Sequence, residues 1–188
     1  MKKFVLTVLA IAVMAAPAAA QVGDISTYAD AAGTSCNVAD ATAPFAFIDV
    51  FLLHKSTGGA TASQFKVSLT GGSTMTFSSQ TVAPGMLNLG NADTDISVAY
   101  GGCLQGDFLI LTIRYLGFGT SPPCSQIVID PAPGSPIPGE LAMVDCAVPS
   151  GNLVVPGSGR ANINPNGTCQ CDVAVTTKTW GGIKALYR

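Results

Sequence analysis

One histidine, six cysteines and eleven carboxylates are the groups of this sequence that could do chemistry. His54 is the only imidazole, so any Ser-His-Asp or Cys-His mechanism must use it as the base. It ends a strongly apolar run and stands beside Lys55, a setting that suits a hydrogen-bonded strand-end histidine. No nucleophile-elbow pattern accompanies it, and the nearest stretch, Gly157-Ser158-Gly159, reads as a turn. Glycoside hydrolysis needs two acids flanking a cleft, yet Glu140 is the only glutamate and the aspartates scatter over predicted loops and strand ends.

Metal chemistry has two candidate stretches. Cys169-Gln170-Cys171 puts two thiols on one face of a strand, as a zinc site would, but an even cysteine count with one histidine favours disulfides. Asn91, Asp93 and Asp95 alternate as at the start of a calcium loop. The rest of that motif is missing, with Ile96 at the glycine position and Gly102 at the glutamate position, so these residues read as a solvated turn. No cofactor is implied. Asn166-Gly167-Thr168 matches a glycosylation sequon and is read as a turn.

The chain that must position these groups opens with Lys2 and Lys3, an apolar run from Phe4 to Ala16 and the small residues Ala18 to Ala20. That is the pattern of a cleaved secretion signal over residues 1–20. The apolar run is shorter than the roughly 20 residues a spanning helix needs, and no later run is longer. The expected mature protein is exported to the periplasm, the cell surface or the medium, with no transmembrane segment. Losing the signal removes two lysines and leaves seven basic residues against eleven acidic ones, which argues against nucleic acid as a partner. Charged residues make up only 11% of the chain, which weakens the usual protection of sheet edges and leaves self-association open.

From Val22 onward, short strand-like runs alternate with turn residues, which predicts an all-β, two-sheet antiparallel sandwich over residues 21–178. Phe45 to Leu53 and Phe108 to Leu116 are apolar on both faces and are expected as central strands. Gln64 to Leu69, Asp95 to Tyr100 and Val173 to Thr177 alternate with period two and are expected as outer strands. Gly58-Gly59 and Gly101-Gly102 are expected in turns between strands. The Pro-rich stretch from Pro131 to Gly139 is expected as a long hairpin loop joining Ser125 to Asp130 with Leu141 to Cys146.

In an oxidising compartment the six cysteines, Cys36, Cys103, Cys124, Cys146, Cys169 and Cys171, are expected to form three disulfides. The hairpin just described brings Cys124 opposite Cys146 when Asp130 lies opposite Glu140, which makes that pair the expected bridge. Cys169 and Cys171 point to one face and are expected to have different partners.

The last ten residues, 179–188, hold the only tryptophan. As a short helix capped by Thr179 they set Trp180, Ile183 and Tyr187 on one side, a candidate docking surface. As a strand they alternate, and the penultimate tyrosine resembles the ends of chaperone-usher pilus subunits.

The stretch from Thr179 to Arg188, with Asp30 to Cys36, Gly59 to Phe65 and Val144 to Cys146, resembles a group of small exported bacterial proteins of unknown function. That resemblance implies fold but no activity. A weaker similarity, carried by the alternating Gln64 to Leu69 and the long strand Gly106 to Tyr115, is to cohesin-like and carbohydrate-binding sandwiches of the Ig-like kind. The expected function is non-catalytic binding of a protein or polysaccharide. A structural subunit assembling by strand pairing or donation is the second expectation, and a hydrolase using His54 the third.

Overall fold

The computed structural model describes residues 22–40, 45–147 and 151–169, and every regular element in them is a strand. In chain order these are β1 (Asp24–Tyr28), β2 (Asn37–Val38), β3 (Phe47–Thr70), β4 (Met75–Val82), β5 (Leu87–Asn91) and β6 (Asp95–Gly117). They are followed by β7 (Ser125–Asp130), β8 (Ala142–Asp145), β9 (Leu153–Val154), β10 (Gly157–Ser158) and β11 (Ala161–Ile163). No helix among the described residues is long and apolar enough to cross a membrane.

Two long antiparallel strands, β3 with 24 residues and β6 with 23, organise the sandwich because each runs through both of its layers. In the first layer the N-terminal half of β3 lies between β1 and the C-terminal half of β6, and β4 forms the outer edge. In the second layer β5 pairs with the N-terminal end of β6, which pairs with β3, which in turn pairs with β8 and β7. β9 extends this layer beyond β8, and β11 and β2 extend it beyond β7. Hydrogen bonds tie the two layers together. The buried Thr27 Oγ1 of β1 donates to the Ile127 carbonyl of β7 at 3.0 Å. On the opposite side, the Gln80 side chain of β4 donates to Gly90 O at 3.2 Å and accepts from Ala92 N at 2.7 Å.

The expected central strands are therefore central, but the expected outer strands Gln64 to Leu69 and Asp95 to Tyr100 are the far halves of those same two strands. Glycines expected in turns instead lie where β3 and β6 bend from one layer to the other. Pairing register slips between Leu52 and Ala62 there, and Gly59 and Gly101 adopt φ of 150° and 76°. Glycine takes such angles without a Cβ penalty, so the chain changes direction without breaking into two strands. Between the layers, Ile25, Val50, Leu52, Phe65, Ile96, Ile110, Ile113, Ile127 and Ile163 are completely buried. Each such side chain contributes roughly 1.5–3 kcal/mol of transfer free energy.

β7 and β8 are not a hairpin. Both pair with β3, β7 along Lys66 to Thr70 and β8 along Ala60 to Gln64, so the Pro-rich loop carries the chain on along β3 toward the N-terminal end of that strand. Cys124 and Cys146 consequently sit at opposite ends of this run, and the expected bridge between them does not form. Cys146 instead bonds Cys103 of β6, and Cys124 bonds Cys169. Cys36 is also disulfide-bonded, while Cys171 lies outside the described residues.

Asp40 pins two distant loops to its own. Its buried carboxylate accepts from the Ser121 backbone N–H, the Ser121 hydroxyl and the Asn164 side-chain amide. Asn164 Oδ1 accepts from Asp40 N at 3.2 Å in return, which leaves every group of this buried cluster a partner.

Candidate protein-binding face

His54 lies in β3, fully buried against the rings of Phe108 and Tyr100, with centroids 5.3 and 6.3 Å away. Its Nε2 is 3.1 Å from the Val22 carbonyl and so carries the proton, whereas Nδ1 has no partner. Burial depresses its pKa to about 4. A neutral ring sealed from solvent and bonded to the backbone cannot take a proton from a hydroxyl attacking an external substrate. The hydrolase reading of His54 ends on this geometry.

The side chains of Asn91 and Asp95 are spent on the fold, and Asp93 is an exposed turn residue. Asn91 Oδ1 accepts from Asp93 N at 2.8 Å, and the two oxygens of Asp95 accept from Gln64 Nε2 and Gly134 N, each at 2.9 Å. No group of three or more metal-ligating side chains converges among the described residues. Gly157-Ser158 is not a turn but β10, paired in parallel with Asp24 and Ile25.

The feature that stands out lies on the outer face of the first layer. Ile48 and Val50 face the core together with their partners Tyr115 and Ile113, so the alternate residues Phe47 and Asp49 face out with Leu116 and Arg114. Arg114 Nε and Nη2 donate to the two Asp49 carboxylate oxygens at 2.7 and 2.8 Å. The bidentate bond holds the Asp49 carboxyl below its ordinary range and the guanidinium above its own. So oriented, Arg114 Cζ lies 5.7 Å from the centroid of the Phe47 ring.

Beside this group, Phe45 and Phe118 meet edge to face with centroids 5.8 Å apart. Phe45 has φ of 70°, outside the usual range for a residue with a bulky side chain. Hydrogen bonds hold it there: Phe45 N donates to Gly117 O at 2.8 Å, and Gly117 N donates to Ala46 O at 2.9 Å. Phe45, Phe47 and Phe118 remain 68%, 62% and 53% exposed. Three open rings on one face, one of them beside an oriented guanidinium, can accept apolar and aromatic side chains from another molecule.

Sequence reasoning placed Phe45 and Phe47 in the interior of a two-sided apolar strand. The available signal was Asp49, whose charge marks the outward parity of that strand and so assigns Phe47 to the same face. The expected docking residues Trp180, Ile183 and Tyr187 lie outside the described residues.

No family model matches the chain, and no curated protein matches it. Among solved structures it is similar to a chain of the CaDoc0917–CaCohA2 complex, with TM-score 0.49 and 10% identity over 76% of this chain and 99% of that one. It is also similar to a chain of the Coh-OlpC–Doc435 complex, a type I cohesin–dockerin complex from Clostridium thermocellum, with TM-score 0.48 and 9% identity over 77% of this chain and 94% of that one.

Proposed function

We propose that this chain is a non-catalytic, exported β-sandwich that binds a protein partner through the face formed by Phe45, Phe47, Arg114 and Phe118. The observation that carries this reading is the exposure of three phenylalanines on one face, with an oriented arginine beside Phe47. Aromatic residues and arginine are the types enriched where protein interfaces concentrate their binding energy. Phenylalanine has no polar handle for sugar hydroxyls, so the face suits a protein better than a polysaccharide.

The test is capture of partners by residues 21–188 from the envelope and medium of its source cells, beside a Phe45→Ser/Phe118→Ser double variant. A protein retained by the parent and lost by the variant, at unchanged melting temperature, supports the reading. Equal capture by both overturns it, as does a glycan that both bind.

A further inference from the structure

We propose that β5 is a self-pairing edge, joining two copies of this chain antiparallel about a two-fold axis at Asn88. Its side chains are arranged inversely to those of an ordinary half-buried strand. Asn88 and Gly90 lie opposite the buried Val98 and Ile96 and so share their inward parity, while Leu87 and Leu89 lie opposite Ala99 and Ser97 on the outer face. The two leucines are 76% and 78% exposed, the highest values among the large apolar residues described.

The backbone of β5 is open at the same place. Gly90 O accepts from Gln80 Nε2 and Asn88 Nδ2, and therefore faces away from β6. Alternation along an antiparallel strand directs the Asn88 N–H and C=O outward as well. Gln80 satisfies Gly90 O and Ala92 N, and among the described residues no strand other than β6 pairs with Leu87 to Leu89.

Edges elsewhere among the described residues are blunted in familiar ways. β2, β9 and β10 are two residues long, and β4 carries a bulge between Phe77 and Ser79. β5 has neither defence, and no charged residue occurs between Lys66 and Asp93 to repel an identical strand.

A second copy fits this edge because the pattern is self-complementary. With Asn88 opposite its symmetry mate, the two residues exchange backbone hydrogen bonds, and each Leu87 falls opposite the other copy's Leu89. The leucines then occupy non-hydrogen-bonded pairs, where side chains approach most closely. An isologous contact of this kind closes at two copies. The contact is short, so the dimer belongs to the weak class of interfaces and forms at high concentration.

Sedimentation velocity of oxidised residues 21–188, from about 1 μM to about 1 mM, tests this within the range expected of weak complexes. The weight-average mass should rise from one protomer toward two. Leu87→Lys/Leu89→Lys should stay monomeric throughout with an unchanged melting temperature. Asn88→Pro should do the same, because the N–H it removes faces away from β6. Phe45→Ser/Phe118→Ser should still dimerise, which separates this contact from the partner-binding face. A monomer at every concentration overturns the proposal. So does a dimer that survives both β5 variants, or a species that grows beyond two copies.

Discussion

Asp49 and Arg114 stand directly opposite each other on β3 and β6, and a two-point hydrogen bond fixes the plane of the guanidinium beside Phe47. Lysine would keep the charge but lose the fork and the flat face that lies over the ring. Arg114→Lys and Arg114→Ala should therefore weaken partner capture to a similar degree. Because the pair is exposed, neither change should move the melting temperature measurably.

His54 should make stability depend on pH in a defined window. Its pKa falls from an ordinary 6.5 to about 4 in the folded chain, so between those values the unfolded state binds the extra proton. The stabilisation is complete above pH 6.5 and is lost as the pH falls toward 4. The loss is on the order of 3 kcal/mol. Denaturant titrations at pH 7.5, 5.5 and 4.0 should show it, and His54→Gln, which does not titrate, should flatten the trend in that window. Equal pH dependence in the variant would assign the effect to other groups.

Gly59 is held against a disulfide. A Cβ built there would lie 2.8 Å from Cys146 Sγ and 3.2 Å from Cys103 Sγ, at a φ of 150° that side chains avoid. Gly59→Ala should destabilise the oxidised protein by roughly 1–3 kcal/mol, measured by chemical denaturation. Gly102 has open space at the same position, and Gly102→Ala should cost much less.

Peptide mapping without reduction should recover Cys103 linked to Cys146 and Cys124 linked to Cys169, with no free thiol under denaturing conditions. The Cys103–Cys146 bridge joins residues 43 apart, and a Cys103→Ala/Cys146→Ala variant should lose about 4 kcal/mol by the chain-entropy relation. A peptide linking Cys124 to Cys146 would contradict the observed topology.

Strand existence was legible because period-two alternation and two-sided apolar runs are local signals. Connectivity was not. Glycines at positions 59 and 101 look the same in sequence whether they end a strand or bend one, and only the register slips in β3 and β6 distinguish the cases. The Cys124–Cys146 expectation failed for the same reason, since a Pro-rich loop between two strands does not reveal that both pair with a third. Exposed phenylalanines were hidden by composition, because an outward Phe47 and an inward Ile48 are equally apolar and only Asp49 betrays the parity. The inverted pattern of β5 was hidden too, because the facing of Leu87 and Leu89 is fixed only by their partners Ala99 and Ser97.

Because β3 and β6 belong to both layers, neither layer has a complete set of strands to itself. The two halves of the molecule share their covalent backbone at the same two long strands, so they should melt as one cooperative unit. A ligand held on the outer face of the first layer then slows hydrogen exchange in the second through the global unfolding equilibrium, without any change of shape between them.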